Sequence, residues 1–113
     1  MSPLTKFLAA AAVAATTAAA YSGDMTWFYP GLGACGWTNG DNDAVVALSP
    51  SQYNNGANCG KWITIHGNGK TTAARVVDLC PGCGSGSIDV APAIFDDIAS
   101  LDVGRTSVTW DFQ

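Results

Sequence analysis

The alternation of apolar and polar residues is clearest near the C-terminal end. There Thr106-Ser-Val108-Thr-Trp110-Asp-Phe112 places Val108, Trp110 and Phe112 on one side of a strand. Related runs, rich in β-branched and aromatic residues, predict strands over Asp24–Tyr29, Cys59–His66 and Lys70–Leu79. Two shorter apolar runs, Ala44–Leu48 and Ile88–Val90, predict buried strands. Pro30 and Gly31 stop the first strand. Gly67-Asn-Gly69 offers backbone positions that accept positive φ, which makes the strands on either side of it a hairpin. A helical period appears over Pro92–Leu101, where Ile94, Phe95, Ile98 and Leu101 share one face, Pro92 suits the first turn, and Asp96 and Asp97 point outward. Ser49, Pro50 and Gln52 fit the N-cap, N1 and N3 positions of a single helical turn that ends over Asn54–Asn58. Six strands, one main helix and long glycine-rich loops define an all-β class. A small closed barrel is the economical arrangement, because closure removes exposed strand edges.

Two residues interrupt the apolar pattern. Asp78 and Asp89 lie in strand-forming runs on either side of the Cys80-Pro-Gly-Cys83 turn. An unpaired buried carboxylate is costly, so each needs a reason to be there. Two neighbouring carboxylates cannot both ionise cheaply. One pKa then rises, and a carboxyl that holds its proton near neutral pH can donate it to a glycosidic oxygen. Hydrolysis by the two-carboxylate route also requires a base or nucleophile across the scissile bond. The structural alternative is that both side chains cap backbone N–H groups of the loop. Aromatic residues in loops, Trp37 and Tyr53 among them, either stack on sugar rings or belong to the core.

The N-terminal residues alter the picture of where the chain works. Residues 1–20 have one basic residue, an Ala-rich apolar stretch and Ala18-Ala-Ala20 before Tyr21, the pattern of an export signal. The apolar stretch is shorter than a membrane span needs. The expected division is a signal peptide over 1–20 and one domain over 21–113, secreted and monomeric. Such a domain has a small core and is expected to carry covalent support. Cys35, Cys59, Cys80 and Cys83 all fall within it, an even count that with an export signal reads as two disulfides, with three pairings open. Four basic residues (Lys61, Lys70, Arg75, Arg105) stand against nine aspartates in 21–113, a net charge of −5. This balance argues against nucleic acid or an anionic membrane surface as the partner.

Other chemistries fit less well. His66 is the single histidine and has no Ser or Cys at a motif spacing, so it reads as a turn residue. Asp41, Asn42 and Asp43 lack the twelve-residue loop and terminal Glu of a calcium site and read as turn chemistry. The Cys80–Cys83 spacing has no second knuckle to complete a zinc site, and it does not open a helix as a redox pair does. No cofactor or metal is expected.

Several short stretches, weak singly, occur in an order that carries a resemblance. They are Thr26-Trp-Phe-Tyr29, Gly33-Ala-Cys35-Gly36, Val46-Ala-Leu48-Ser49, Cys59-Gly60-Lys61, Val77-Asp78-Leu-Cys80-Pro81, Ile88-Asp89-Val90 and Ala93-Ile-Phe95. Over residues 24–112 the chain resembles the six-stranded double-psi β-barrels of the expansin first domain, barwin, family 45 glycoside hydrolases and RlpA-like proteins. Among these it is most similar to single-domain fungal expansin-like proteins, the loosenins. The resemblance implies a polar groove holding Thr26, Asp78 and Asp89, with Asp89 matching the general acid of the hydrolases and the indispensable Asp of expansins. The position of the hydrolase base is Pro30, which argues for non-hydrolytic loosening of β-linked wall polysaccharide such as cellulose or chitin, and against an enzyme. Bacterial expansins carry a Tyr two residues after the first groove Asp. Here that position is Cys80, so the sugar platform is expected to use Phe28, Tyr29 or Trp37. The resemblance further implies Cys35–Cys59 and Cys80–Cys83 disulfides. Two other activities occur on similar barrels: inhibition of papain-like cysteine proteases through a surface loop, and true glycan cleavage.

Overall fold

The structure is a computed structural model and describes residues 20–113; the export signal expected over 1–20 lies, but for Ala20, outside the described residues. The elements in chain order are β1 (Tyr21–Trp27), β2 (Val45–Leu48), α1 (Pro50–Tyr53), β3 (Trp62–Gly67), β4 (Lys70–Leu79), β5 (Ile88–Val90), α2 (Pro92–Asp96) and β6 (Arg105–Phe112). The six strands close into a barrel in the order β1-β5-β2-β4-β3-β6. The β1–β5 and β2–β4 pairs are parallel, and all other neighbours are antiparallel. Two interlocked parallel pairs in a six-stranded closed barrel make the double-psi architecture that the sequence led us to expect.

Strand alternation fills the interior in layers. Met25, Ile88 and Leu48 face one another across β1-β5-β2, and Trp27, Val90, Val46 and Val76 form the next layer. Ile63, Ile65, Ala74, Val108 and Trp110 complete the barrel from β3, β4 and β6, while Ile94, Phe95 and Ile98 close one side. Tyr21 stacks on Trp110 with ring centroids 4.4 Å apart, and the Trp110 Nε1–H donates to the Gly86 carbonyl at 2.8 Å. This pairing begins β1 three residues earlier than the alternation predicted. The strand also ends at Trp27, so Phe28 and Tyr29 lie in the exit from the barrel.

The β3–β4 hairpin turns at Asn68 (φ 51°) and Gly69 (φ 75°), the two left-handed positions that a tight two-residue turn requires. The strand predicted from Cys59 starts at Trp62, because residues 56–61 form turns closed by Cys59 N–H to Gly56 O and Lys61 N–H to Asn58 O. The ten-residue helix predicted from Pro92 is a single turn. Bonds from Asp97 N–H to Ile94 O and Ile98 N–H to Phe95 O tighten its end, and extended backbone at Ser100 breaks the spiral before a 3₁₀ turn at Leu101–Val103. Ile94, Phe95 and Ile98 are nevertheless buried, so the apolar face was read correctly. Asp97 is not simply a solvated charge: it accepts a 2.7 Å hydrogen bond from Thr72 Oγ1 on β4. Asp43 serves turn chemistry as expected, its Oδ2 accepting from Gly40 N–H at 2.8 Å and Asn39 Nδ2 at 3.3 Å.

Cys35 pairs with Cys59 and Cys80 with Cys83. The first bridge ties the long loop after β1 to the turn before β3, across a sequence separation of 24, and the second closes a separation of three. Loop-closure entropy assigns about 3.5 kcal/mol to the first bridge and less to the second. The Cys35→Ser/Cys59→Ser double variant is therefore expected to lose more unfolding free energy in urea titration than Cys80→Ser/Cys83→Ser. An equal or reversed loss would mean that loop length does not govern the contribution.

Candidate functional site

One register across the barrel assembles the polar residues that interrupt the apolar pattern. Thr26 pairs with Asp89, Asp89 with Ala47, and Ala47 with Asp78. Directly paired residues point to the same face of a sheet, so Thr26, Asp89, Ala47 and Asp78 form a row on the outside of β1-β5-β2-β4. Asp89 is there because Ile88 and Val90, its fully buried neighbours, occupy the interior.

Asp78 reaches the same face by a different route. Val45 pairs with Arg75 and Val46 with Val76, but Ala47 pairs with Asp78, leaving Val77 as an extra residue in β4. This bulge shifts the alternation by one. Without it, Val76 inside would put Asp78 inside as well. The loop after β1 covers the bulge: Cys35 N–H donates to Val77 O at 3.1 Å. A Cβ on Gly33 would stand only 2.4 Å from that carbonyl oxygen, so glycine is what permits the approach.

The two carboxylates have different partners. Asp78 Oδ1 accepts from the backbone N–H groups of Ala34 and Leu79, both at 2.8 Å. The loop-capping alternative thus describes Asp78. Asp89 Oδ1 instead accepts from Thr26 Oγ1 at 2.9 Å. Its pKa is raised above the ordinary value of 3.8, first by burial; the Thr26 hydrogen bond and the Arg105 charge oppose the shift, and repulsion from Asp78 adds to it least. Like-charge repulsion was the cause expected from the sequence, and burial replaces it as the chief one. The two aspartates are separated by a whole strand, about 10 Å at usual strand spacing. Ala91, two residues beyond Asp89, belongs to a buried cluster with Val45 and Val77.

The second turn is anchored between these residues. Gln52 Oε1 accepts from Gly86 N–H at 2.8 Å and from Ser49 Oγ at 2.5 Å, while its Nε2 donates to Ser85 Oγ at 2.9 Å. Gln52 therefore holds the 80–87 loop and does not complete a capping box at α1. Ser87 Oγ accepts from Asp24 N–H at 3.1 Å, which fixes the return of that loop to β1.

The aromatic candidates do not gather at one point. Phe28 N–H donates to Val90 O at 3.0 Å and so stays beside β5. Tyr29 is 70% exposed, with its ring edge-on to Trp27 at 5.4 Å, and Trp27 is fixed by a 2.9 Å bond from Nε1–H to Leu101 O. Trp37 stacks on Arg75. Tyr53 packs partly buried against the core, its hydroxyl 3.8 Å from Cys59 Sγ. His66 is exposed, with Nδ1 2.9 Å from Thr71 Oγ1. Sequence reasoning missed Arg105, which pairs in register with Thr26 and lengthens the polar row on the β6 side. Its guanidinium is 3.3 Å from Asp24 Oδ2. No local motif announces it, since only the β1–β6 pairing brings it there. A cavity of about 500 Å³, lined by Ser22, Asp24, His66 and Thr109 among others, lies on the β1-β6-β3 side of the barrel rather than at Asp89.

No family model matches the chain. It is 40% identical over 82 residues to the allergen Asp f 7 of Aspergillus fumigatus, covering 71% of this chain and 30% of that protein. The chain spans about a third of the length of the first curated relatives it matches. A Streptomyces papain inhibitor superposes with a TM-score of 0.73 and 31% identity, covering 83% of this chain and 96% of the inhibitor. A mutant of Clavibacter michiganensis expansin in complex with cellohexaose superposes with a TM-score of 0.77 at 22% identity, over 82% of this chain and 50% of the expansin. The chain belongs to the double-psi β-barrel superfamily that includes the expansin, barwin and RlpA proteins.

The raised pKa of Asp89 has a consequence for stability. The folded state holds the Asp89 proton to higher pH than the unfolded chain does, so this group's contribution falls as pH rises from 3.8 through the folded pKa. Asp89→Asn abolishes that loss and retains an oxygen for the Thr26 hydroxyl. Relative to wild type, the variant is expected to be more favoured at pH 7 than at pH 3 in paired thermal melts. A difference that stays flat or shrinks toward pH 7 contradicts the raised pKa.

Proposed function

We propose that this protein is a secreted, expansin-like factor that binds β-linked cell-wall polysaccharide along the Thr26–Asp89–Ala47–Asp78 row and loosens it without hydrolysis, as a loosenin does. The observation that carries the reading is the unequal use of the two carboxylates. Asp89 is half-buried, with a raised pKa and a hydroxyl partner, which suits a carboxyl that gives a proton or hydrogen bond to a glycosidic oxygen. Asp78 is engaged with loop N–H groups, and Pro30, at the hydrolase-base position, has no group to activate water. An acid without a base perturbs hydrogen bonding between chains more readily than it completes an inverting displacement. The row crosses four neighbouring strands, with the half-buried side chains of Thr26, Asp89 and Asp78 around a buried Ala47. Support from relatives is the cellohexaose bound by the Clavibacter expansin mutant and the expansin-like protein of Dictyostelium discoideum, 30% identical over 97 residues.

A second reading has its own observation. The Streptomyces papain inhibitor matches over nearly its full length at higher identity than the expansin. Inhibition of a secreted papain-like protease would use a surface loop and would not depend on Asp89.

Wild type and Asp89→Asn should be compared for weakening of cellulose or chitin sheets, with reducing ends measured in parallel and papain inhibition titrated separately. The expected outcome is loosening by wild type, loss of most of it in Asp89→Asn, and no reducing sugar accumulating with time. Steady sugar release would identify a glycanase. Loosening that survives the substitution removes Asp89 from the mechanism. Stoichiometric papain inhibition by both proteins, with no effect on either polymer, establishes the second reading.

A further inference from the structure

Beyond the polar row, the outer face of β4 carries another group of side chains. Arg75 pairs with Trp62 on β3, so the two leave the barrel on the same face. Trp37, in the loop after β1, meets Arg75: the guanidinium carbon lies 4.2 Å from the Trp37 ring centroid. Gly60 lies in contact range of the stack. A Cβ there would stand 3.4 Å from Trp37 Cη2 and 3.6 Å from Arg75 Nη2, and its φ of +85° also suits glycine. Trp37 and Trp62 remain 39% and 43% exposed. Among the described residues Arg75 has no carboxylate partner, although the chain is acidic, with a pI near 4.4.

Two exposed indoles beside a cation without an acid partner select for particular chemistry. Grouped exposed apolar surface marks an interaction site. Guanidinium offers donors in a rigid fork and accepts nothing, and its stack on Trp37 fixes the direction of that fork. A ligand that matches has apolar C–H faces to lie on the rings and hydroxyl or ether oxygens to accept from the guanidinium. Pyranose units meet both requirements. The position also matters: Arg75 precedes Asp78 by three residues on β4, and Trp37 lies in the loop whose Ala34 N–H is held by Asp78. The loop after β1 therefore links the group to the Asp78 end of the row.

We propose that Trp37, Arg75 and Trp62 form a stacking subsite for a neutral β-linked glycan chain, continuous with the polar row; the inference rests on the polysaccharide reading above. The subsite gives the barrel a length of grip that the aspartates alone do not supply. It engages long oligosaccharides and leaves short ones to the row.

Calorimetric titration of wild type, Trp62→Ala, Arg75→Lys and Asp89→Asn with cellohexaose, chitohexaose and the matching disaccharides tests this. Trp62 is exposed on a strand and Arg75→Lys keeps the charge, so both variants are expected to fold; matching thermal melts verify that. With at least one hexasaccharide, Trp62→Ala is expected to weaken binding about tenfold, and Arg75→Lys to weaken it several-fold. Disaccharide affinity should be unchanged in both, whereas Asp89→Asn, which lies in the row itself, should weaken disaccharides and hexasaccharides alike. Raising salt should leave wild-type affinity nearly constant, because no ion pair is formed with a neutral glycan. Equal hexasaccharide affinity in wild type, Trp62→Ala and Arg75→Lys overturns the subsite while leaving the groove reading intact. A wild type that binds no oligosaccharide and no polymer overturns the groove reading and the subsite together. Binding that collapses with salt overturns the neutral-glycan assignment in favour of an acidic partner.

Discussion

The register between β2 and β4 is the constraint on which the outer polar row depends. These strands run parallel, so their pairing cannot be set by a tight hairpin and is fixed by what fills the barrel. Val46 and Val76 meet inside, fully buried, and further along Leu48 pairs with the half-buried Leu79. Val46 and Leu48 are two positions apart on β2, whereas their partners Val76 and Leu79 are three apart on β4, and the bulge at Val77 reconciles the two. Asp78 is turned outward as a result. The interior thus dictates the exterior: filling the barrel with Ile88, Val90, Val46, Leu48 and Val76 leaves Asp89, Ala47 and Asp78 in line outside it.

The row also shows why one aspartate stays chemically available while its partner does not. Asp78 faces the loop that carries Cys35, and its oxygen organises that loop by accepting from Ala34 and Leu79 N–H groups. Asp89 has no such backbone donors. Ala91 of a buried apolar cluster follows it two residues on, a hydroxyl is its hydrogen-bond partner, and Arg105 exerts a weaker counter-effect. Burial without full compensation disfavours the charged form. The molecule keeps this cost at a single position, between strands whose packing does not depend on it. Ala47 contributes by being small, since a larger residue between Asp89 and Asp78 would fill the row.

Most of the fold was legible because strand periodicity, turn residues and the hairpin signal are local properties. The interior positions of β5 and β6 and the turn at Asn68–Gly69 follow from residues within a few places of one another. What could not be read depended on distant pairings. The bulge at Val77 arises from a β2–β4 register, Arg105 reaches Thr26 only through β1–β6, and Gln52 anchors a loop more than thirty residues away. The helix from Pro92 was overextended for a related reason: Ile98 is buried whether it lies on a helix or on the turn after one, so an apolar period does not mark where the helix ends. Tyr53 illustrates the ambiguity of aromatic residues in loops. Its ring is drawn toward the core beside the Cys35–Cys59 bridge, whereas Trp37 in the opposite arm of the same disulfide loop remains at the surface.

That disulfide loop connects the two functional readings physically. Its β1 arm is pinned at Ala34 by Asp78 and at Trp37 by Arg75, and its far arm returns through Gly60 in contact range of that stack. A segment held at so many points is suited to two tasks: lining one wall of a polymer track, or presenting a rigid surface to another protein at little entropic loss. The fold alone does not choose between them. Asp89 is where the two readings separate: the proposed polysaccharide reading uses its half-buried carboxyl, and a loop-mediated contact on a different part of the surface does not.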